Sequence, residues 1–196
     1  MTQQEKSKSD VSVLGRPSRN GKNGKVVRAG IVGGAGYTGG ELIRLLIHHP
    51  QVSVSFIHSR SNAGNPVSAV HQDLLGDTDL TFSNELSDNI DVLFLCVGHG
   101  EAKTFLAENQ IAETVKVIDL SQDFRLKPGS EFKGRPFTYG LPELNKEAIR
   151  KAKNIANPGC FATGIQLGLL PLAKEGLLED VHTTGITGST GAGQSL

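Results

Sequence analysis

The chain has 196 residues, with 20 Lys and Arg balanced by 20 Asp and Glu, 24 glycines and no tryptophan. This balance, with no basic stripe beyond the N-terminal tail, argues against nucleic acid as a partner. No apolar stretch approaches the ~20 residues that a membrane span requires, so we expect no membrane partner. Only two cysteines occur, which argues against a disulfide framework and favours a reducing, cytoplasmic compartment.

Residues 1–25 are polar and mostly basic, without the apolar segment of a secretory signal. A transit peptide and a disordered extension both fit such a composition. We predict a disordered tail and exclude it from the fold.

The first predicted strand, residues 26–32, runs into a glycine-rich turn, and residues 41–47 then continue as a helix. The glycines have the spacing GxxGxxG, a variant of the dinucleotide fingerprint in which the backbone approaches a pyrophosphate at a helix N-terminus. A simple tight turn would use the same residues, but the strand–turn–helix context favours a cofactor. The predicted cofactor site begins with Gly33, Gly36, Tyr37, Thr38 and Gly39.

The second predicted strand, residues 52–58, ends in Ser59, Arg60 and Ser61. An NAD-binding fold would carry a carboxylate there for the ribose hydroxyls. Two hydroxyls and a guanidinium suit a 2′-phosphate instead, so we predict NADP(H). The alternative for Arg60 is a solvated loop charge.

Two further apolar strands are predicted at residues 91–97 and 115–120, separated by a short helix over 101–108. His99 follows the first of these strands and either lines the cofactor crevice or is a loop histidine bonded locally. A polar cluster follows the second and includes Ser121, Asp123 and Arg125. Asp123 and Arg125 could pair with each other or face solvent.

Residues 136–144 read as an extended loop, 146–153 as a helix and 154–157 as a brief strand. Pro158 and Gly159 then mark the entry to an apolar, buried or amphipathic helix that begins at Cys160 and ends near Gly176. A thiol in the first helical turn faces unpaired backbone N–H groups and the positive end of the helix dipole, which favour the thiolate. Cys160 is therefore a candidate nucleophile, and a buried structural cysteine is the alternative.

Residues 181–189 are predicted as one more strand. The order of elements predicts an α/β fold: a Rossmann-like doubly wound parallel sheet over 26–157 that binds NADP, followed over 158–196 by the beginning of an α+β substrate domain. We expect that second domain to be incomplete, because one strand has no partner for its backbone groups.

Five motifs, spread over nearly the whole chain beyond the tail, carry a resemblance. They are GIVGGAGYTGGELIRLL (30–46), VIDLSQDFRL (117–126), YGLPEL (139–144), NPGCFATG (157–164) and TGSTGAG (187–193). Together they resemble the N-acetyl-gamma-glutamyl-phosphate reductases, NADP-dependent enzymes of arginine biosynthesis. Aspartate-semialdehyde dehydrogenases share the architecture, but the DFRL and YGLPEL segments favour the glutamyl-phosphate branch.

The resemblance implies reduction of an N-acylated glutamyl 5-phosphate to its semialdehyde, with Cys160 forming a thioester. It also implies that Ser121, Arg125 and Asn157 bind this small acyl-phosphate substrate, that no metal takes part, and that the full-length protein is a homo-oligomer. The family's acid/base histidine is expected beyond Leu196. None of the chain's histidines matches it: His48, His49, His58, His71, His99 and His182.

We therefore expect a truncated form with little or no turnover alone. The acyl group, acetyl or succinyl, stays open at this point. Two alternatives also stay open: an NADP(H)-binding module in which Cys160 is structural, and a related reductase acting on aspartyl phosphate or a carrier-bound amino-adipyl phosphate.

Overall fold

A computed structural model describes residues 25–192, which form seven strands and five helices longer than a single 3-10 turn. The strands are β1 (Val27–Val32), β2 (Val52–His58), β3 (Val92–Leu95), β4 (Lys116–Asp119), β5 (Glu131–Phe132), β6 (Arg135–Tyr139) and β7 (Asn154–Ala156). The helices are α1 (Tyr37–Ile47), α2 (Glu101–Glu108), α3 (Pro142–Lys151), α4 (Cys160–Lys174) and α5 (Ser189–Ala192). The tail predicted over 1–25 lies outside the described residues, except for Lys25.

The seven strands form one sheet in the order β2-β1-β3-β4-β7-β6-β5. All neighbours pair in parallel except β5 and β6, which form an antiparallel hairpin. The chain leaves β1 toward β2 on one side and later returns to β3 on the other. Strand order therefore reverses beside β1, and open α/β sheets bind ligands at such a switch point.

Apolar side chains cover both faces of the sheet. Ala29 and Ile31 of β1 pack with Ile43 of α1 in one cluster, whereas Val32 packs with Phe105 of α2 in the other. Successive residues of a strand point to opposite faces, so α1 and α2 lie on opposite sides of the sheet. The predicted Rossmann-like, doubly wound α/β fold is confirmed.

Helix α1 begins at Tyr37, four residues earlier than predicted. Gly39 and Gly40 weaken the helical signal in the sequence because glycine is a poor helix former. Packing requires both: a Cβ on Gly39 would lie 2.5 Å from the Gly33 oxygen, and one on Gly40 would lie 2.5 Å from the His71 ring.

The predicted loop over 136–144 is wrong. Strand β6 occupies its first part, and α3 begins at Pro142 rather than at residue 146. Proline is disfavoured in strands because it has no N–H to donate, and Pro136 bounds the segment predicted as a loop. It is tolerated at the second position of β6 because the pairing with β7 begins only at the next residue, Phe137, so no ladder bond needs the missing N–H.

The predicted strand over 181–189 is also wrong: residues 181–188 have no regular structure and Ser189 begins α5. No strand among the described residues lies beside them to pair with their backbone groups. The helix predicted at Cys160 is confirmed, but none of its residues is buried, and Phe161 is 48% exposed. Its apolar side chains are at most half-buried within residues 25–192, where the Phe161 ring lies against Gly185.

Candidate active site

The carboxyl ends of the parallel strands bring the predicted site residues to one edge of the sheet. The glycine turn follows β1, Arg60 follows β2, His99 follows β3, Arg125 follows β4 and Cys160 follows β7. These strands pair in parallel, so their ends meet at the same edge. Residues up to 127 positions apart in the chain thus lie at one edge of the sheet.

The glycine turn lies directly against its neighbours. The N–H groups of Gly33 and Gly34 both donate to the His58 oxygen of β2, at 3.1 and 3.2 Å. Gly33 has φ +79°, in the left-handed region, and a Cβ there would lie 2.3 Å from the Cys96 oxygen. Gly36 differs, since a Cβ there would meet only the Gly33 oxygen, at 3.6 Å. The turn is therefore closed toward the sheet and open at Gly36.

Helix α1 begins behind this opening with no side chain capping it. Tyr37 and Thr38 are exposed in its first turn, whereas Gly39 is buried. An uncapped helix start presents unpaired N–H groups and the positive end of the dipole, which suit a phosphate. The opening at Gly36 and the unpaired N–H groups at the start of α1 leave room and donors for a phosphate group.

The loop after β2 lies beside this turn. Ser59 is buried, its N–H donates to the Ser83 oxygen at 2.9 Å, and its hydroxyl accepts from Asn62 at 3.3 Å. The side chain of Arg60 is 77% exposed and lies 3.9 Å from Glu108, a distance that leaves the guanidinium available. Ser61 is exposed and accepts from the same Asn62 amide at 3.1 Å. These residues can meet an anion at the tip of β2.

His99 joins the loops that follow β3 and β4. Its Nδ1 accepts a hydrogen bond from the Gln122 N–H at 3.2 Å, while the ring is exposed. Asp123 links the same two loops, because its carboxylate accepts hydrogen bonds from the N–H groups of Gly100 at 2.6 Å and Lys103 at 3.1 Å. It caps α2, so the predicted alternative of an Asp123–Arg125 pair is wrong.

Asp119 ends β4 fully buried, a role that the sequence did not suggest. Its carboxylate accepts from the N–H of Ser121 at 3.1 Å and from the hydroxyl of Ser121 at 2.9 Å. Burial raises the pKa of Asp119, although the two bonds from Ser121 act in the opposite direction. The Ser121 hydroxyl in turn accepts from the Asp123 N–H at 3.1 Å. The sequence pattern Asp-x-Ser-x-Asp places side-chain acceptors two residues from N–H and hydroxyl donors. It could have predicted these hydrogen bonds.

Arg125 connects the loop after β4 to the residues before Cys160. Its Nε donates to the Asn157 oxygen at 2.8 Å and its Nη2 to the Leu120 oxygen at 2.9 Å. A Cβ on Gly159 would lie 3.0 Å from Nη1, so glycine makes room for the guanidinium. The Asn157 N–H also donates to the Asp119 oxygen at 2.8 Å. Both backbone groups of Asn157 are therefore bonded: its carbonyl to Arg125, in the loop after β4, and its N–H to Asp119, the last residue of β4. These two bonds fix the entry to α4.

Cys160 is the first residue of α4, with Gly159 as its N-cap and no side chain bonded to the cap position. The thiol is exposed, unlike that of Cys96, whose pKa burial raises to about 12. Both thiols are free. The exposure of Cys160 within the described residues differs from that of a buried structural cysteine, and its thiol is accessible to reagents.

Among residues 25–192, no three His, Cys, Asp or Glu side chains are arranged to hold a metal ion. Within the same range, no helix has the length and apolar character needed to cross a bilayer.

Two protein families match this chain. The family "Semialdehyde dehydrogenase, NAD binding domain" matches residues 28–152, and "Semialdehyde dehydrogenase, dimerisation domain" matches residues 160–196. The second match begins at Cys160, the first residue of α4.

Curated relatives agree with the resemblance found in the motifs. An N-acetyl-gamma-glutamyl-phosphate reductase of Flavobacterium johnsoniae is 56% identical over 172 residues, which are 87% of this chain and 53% of that protein. The enzyme of the same name from Phocaeicola vulgatus is 58% identical over 170 residues, 86% of this chain and 52% of that protein. The chain spans about half the length of the curated relatives it matches.

Two solved structures share the fold at low identity. Aspartate semialdehyde dehydrogenase II of Vibrio cholerae, complexed with ASA, has a TM-score of 0.58 at 22% identity, covering 77% of this chain and 43% of its own. Aspartate semialdehyde dehydrogenase of Candida albicans, solved with NADP, has a TM-score of 0.56 at 19% identity, covering 79% of this chain and 48% of its own.

Proposed function

Because the chain belongs to the semialdehyde dehydrogenase family, we propose that it serves the NADPH-dependent reduction of N-acetyl-glutamyl 5-phosphate to N-acetyl-glutamate 5-semialdehyde and phosphate, a step of arginine biosynthesis. One observation carries the proposal. The exposed thiol of Cys160 begins α4 at the same edge of the sheet as the open glycine turn after β1. The relatives at 56–58% identity bear the name of this reaction.

We divide the chain into an NADP-binding domain over 26–157 and the start of a catalytic substrate domain over 158–196. The described strands all lie in the first part. The boundary falls between β7 and α4, where Pro158 and Gly159 interrupt regular structure.

The cofactor assignment follows the groups along the sheet edge. Gly33, Gly36 and Gly39 let the backbone approach the pyrophosphate, and the N–H groups of Tyr37 and Thr38 face it from the start of α1. Ser59, Arg60 and Ser61 meet the 2′-phosphate, for which a guanidinium is better suited than a carboxylate. His99 borders the crevice next along the sheet. Bound NADPH supplies a hydride.

In the reaction, the Cys160 thiolate attacks the acyl carbon of the acyl phosphate. A C–S bond forms, the C–O bond to phosphate breaks, and phosphate leaves with the electron pair. With a hydride supplied by bound NADPH to the thioester carbon and a proton added to its oxygen, the acyl group would become a thiohemiacetal that Cys160 holds through its sulfur. Loss of the hydroxyl proton to solvent and breakage of the C–S bond, whose electron pair stays on sulfur, then release the aldehyde and return the thiolate.

The substrate phosphate requires cations and donors near that thiol. Arg125 is held beside Gly159 by two carbonyl bonds made by Nε and Nη2, so Nη1 is directed to the start of α4. Ser121 follows β4 and Asn157 follows the neighbouring strand β7, so both lie at the same edge of the sheet. We assign Arg125 and Asn157 to substrate binding, with Arg125 placed to hold the phosphoryl group. The expected contact from Ser121 does not fit, because Ser121 is buried and its hydroxyl is already bonded to Asp119 and Asp123.

We also propose that the full-length protein is a homo-oligomer in the cytoplasm. The part matched by the dimerisation family contains a helix with exposed Phe161, Ile165 and Leu172, an apolar surface that needs a cover. Two free cysteines fit a reducing compartment.

The reverse reaction tests the function: phosphate- and NADP-dependent oxidation of N-acetylglutamate semialdehyde by this chain and by a version extended to the length of its relatives. We expect activity in the extended version that is lost in its Cys160→Ser variant. If the extended version binds NADPH but oxidises nothing, the substrate assignment is wrong and a nucleotide-binding module is the better account. Oxidation of aspartate semialdehyde instead would reassign the substrate.

A further inference from the structure

His71 lies in the segment between β2 and β3, for which the sequence suggested no role. Two short 3-10 turns, Val67–Ala69 and Gln72–Leu74, flank it, and Val67 and Leu74 are completely buried against the face covered by α1. The His71 N–H donates to the Val67 oxygen at 2.9 Å. The histidine is therefore held on a well-packed support rather than on a free loop.

The ring of His71 makes a direct contact with the glycine turn. Its Nε2 lies 2.7 Å from the Gly34 carbonyl oxygen. A carbonyl oxygen can only accept, so Nε2 is the protonated nitrogen in this bond. The ring also lies so close to α1 that a Cβ on Gly40 would be 2.5 Å from Cε1 and Nδ1. Its other side packs on buried Phe82, with ring centroids 6.2 Å apart.

This bond fixes a peptide plane at the cofactor site. The described chain has no cis peptide bonds, so the Gly34 carbonyl and the Ala35 N–H point in opposite directions across one rigid plane. The Gly34 N–H is already bound to the His58 oxygen at 3.2 Å. Because His71 holds the Gly34 carbonyl, the Ala35 N–H on the opposite side of the same peptide plane points away from His71. Within residues 25–192, this N–H has no backbone acceptor.

We propose that His71 is a positioning residue for the cofactor: by binding the Gly34 oxygen, it directs the Ala35 N–H at the pyrophosphate held by the glycine turn. The inference rests on the proposed NADPH site. It assigns a function to the segment between β2 and β3, which supports the turn from the face opposite to the ligand. Without the bond, the Gly34–Ala35 peptide can rotate and the turn loses a preorganised donor.

Two variants of nearly equal shape isolate this bond. His71→Met and His71→Gln both remove the ring from Gly40 and Phe82, but only Gln can donate to the Gly34 oxygen. The binding of NADPH and of adenosine 2′-monophosphate, which has no pyrophosphate, is measured on this chain by titration calorimetry, with thermal unfolding as a check on folding. We expect His71→Met to weaken NADPH binding about tenfold, as for the loss of one well-placed hydrogen bond.

His71→Gln should bind NADPH within about threefold of the unmodified chain, and neither substitution should change the affinity for adenosine 2′-monophosphate. Equal weakening of NADPH binding by Met and Gln overturns the inference, because only packing would then matter. So does equal weakening of both ligands by His71→Met. If the unmodified chain binds neither ligand, the cofactor assignment itself fails and the inference with it.

Discussion

Arg125 donates a hydrogen bond to the carbonyl oxygen of Asn157, and this bond links the loop after β4 to the entry of α4 across 2.8 Å. The second bond, to Leu120, fixes the other end of the guanidinium. Removing both bonds leaves two carbonyls without partners. We expect Arg125→Met to lower the free energy of unfolding by about 1–2 kcal/mol, discounted for partial exposure, as measured by urea denaturation.

Arg150→Met is the matched control for that substitution. Arg150 pairs with Glu147 one turn away on an exposed face of α3. Its loss should change stability by less than about 0.5 kcal/mol. If the two methionine variants lose the same stability, Arg125 does not hold the entry to α4.

Alanine at Gly36 and at Gly39 should have different effects. A Cβ at position 36 meets only one atom, at 3.6 Å, whereas a Cβ at position 39 lies 2.5 Å from the Gly33 oxygen and 2.7 Å from the Gly34 Cα. We expect Gly36→Ala to keep the melting temperature but to lose most NADPH affinity, because the methyl group fills the opening at this position. Gly39→Ala should lower the melting temperature as well.

Calorimetry of binding and thermal unfolding separates these effects. Gly168→Ala in α4, where a Cβ meets nothing within 4 Å, is the control. NADPH affinity that is unchanged in Gly36→Ala would place the pyrophosphate elsewhere.

Arg60 should select the phosphorylated cofactor. Its guanidinium is exposed and its ion pair with Glu108, at 3.9 Å, adds little stability. Arg60→Gln should weaken NADPH binding about tenfold, with almost no change for NADH and none in urea stability. Glu108→Gln, which removes the pair but keeps the cation, should retain the preference. An equal loss for both cofactors in Arg60→Gln would contradict a 2′-phosphate contact.

The two cysteines should differ in reactivity toward iodoacetamide. Cys160 is exposed at a helix start, whereas Cys96 is buried with its pKa raised to about 12. Under native conditions, peptide mapping by mass spectrometry should find the label on Cys160 alone. Cys160→Ser should then take up no label until urea is added. Labelling of Cys96 in the folded chain would contradict its burial in the core of the sheet.

Asp119 should make stability depend on pH. Burial raises its pKa in the folded chain, so the unfolded chain loses this proton first as pH rises. The contribution of Asp119 to stability is therefore present below its ordinary pKa and is lost as pH rises through the folded value. Asp119→Asn removes the titration and keeps an acceptor for the Ser121 N–H.

The stability of Asp119→Asn relative to the unmodified chain should increase between pH 4 and pH 7 in urea unfolding. Ser87→Ala, on a half-exposed loop, controls for changes unrelated to the buried carboxyl. A relative stability that falls over this range would mean that the folded chain favours the charged carboxylate.

Patterns within short stretches of the sequence predicted the strands and helix starts that depend on neighbouring residues in the chain. Short, largely apolar runs predicted β1 to β4, and Pro158 and Gly159 predicted the helix start at Cys160. Prediction failed where tertiary packing overrides local preference. Glycines are accepted within α1 because the Gly33–Gly34 backbone approaches Gly39 and the His71 ring approaches Gly40. Pro136 is accepted in β6 because pairing with β7 begins only at Phe137.

The candidate site follows the same rule. The residue types that follow each strand were visible in the sequence, but their contacts depend on strand order. β7 lies beside β4, and only that neighbourhood brings Arg125 to Asn157. His71 reaches Gly34 across 37 positions for a similar reason. Residue spacing predicts neither contact, because each joins two segments that are distant in the chain and become neighbours only in the folded sheet.

The central claim is that Cys160 accepts the acyl group, and intact-protein mass spectrometry tests it most directly. The chain extended to the length of its relatives is mixed with N-acetyl-glutamyl 5-phosphate without cofactor. We predict one acyl group per chain, located on Cys160 by peptide mapping, with an equal amount of phosphate released; added NADPH should then remove the adduct and yield the semialdehyde. Acylation at another residue, or semialdehyde formation by the Cys160→Ser variant, would contradict the account.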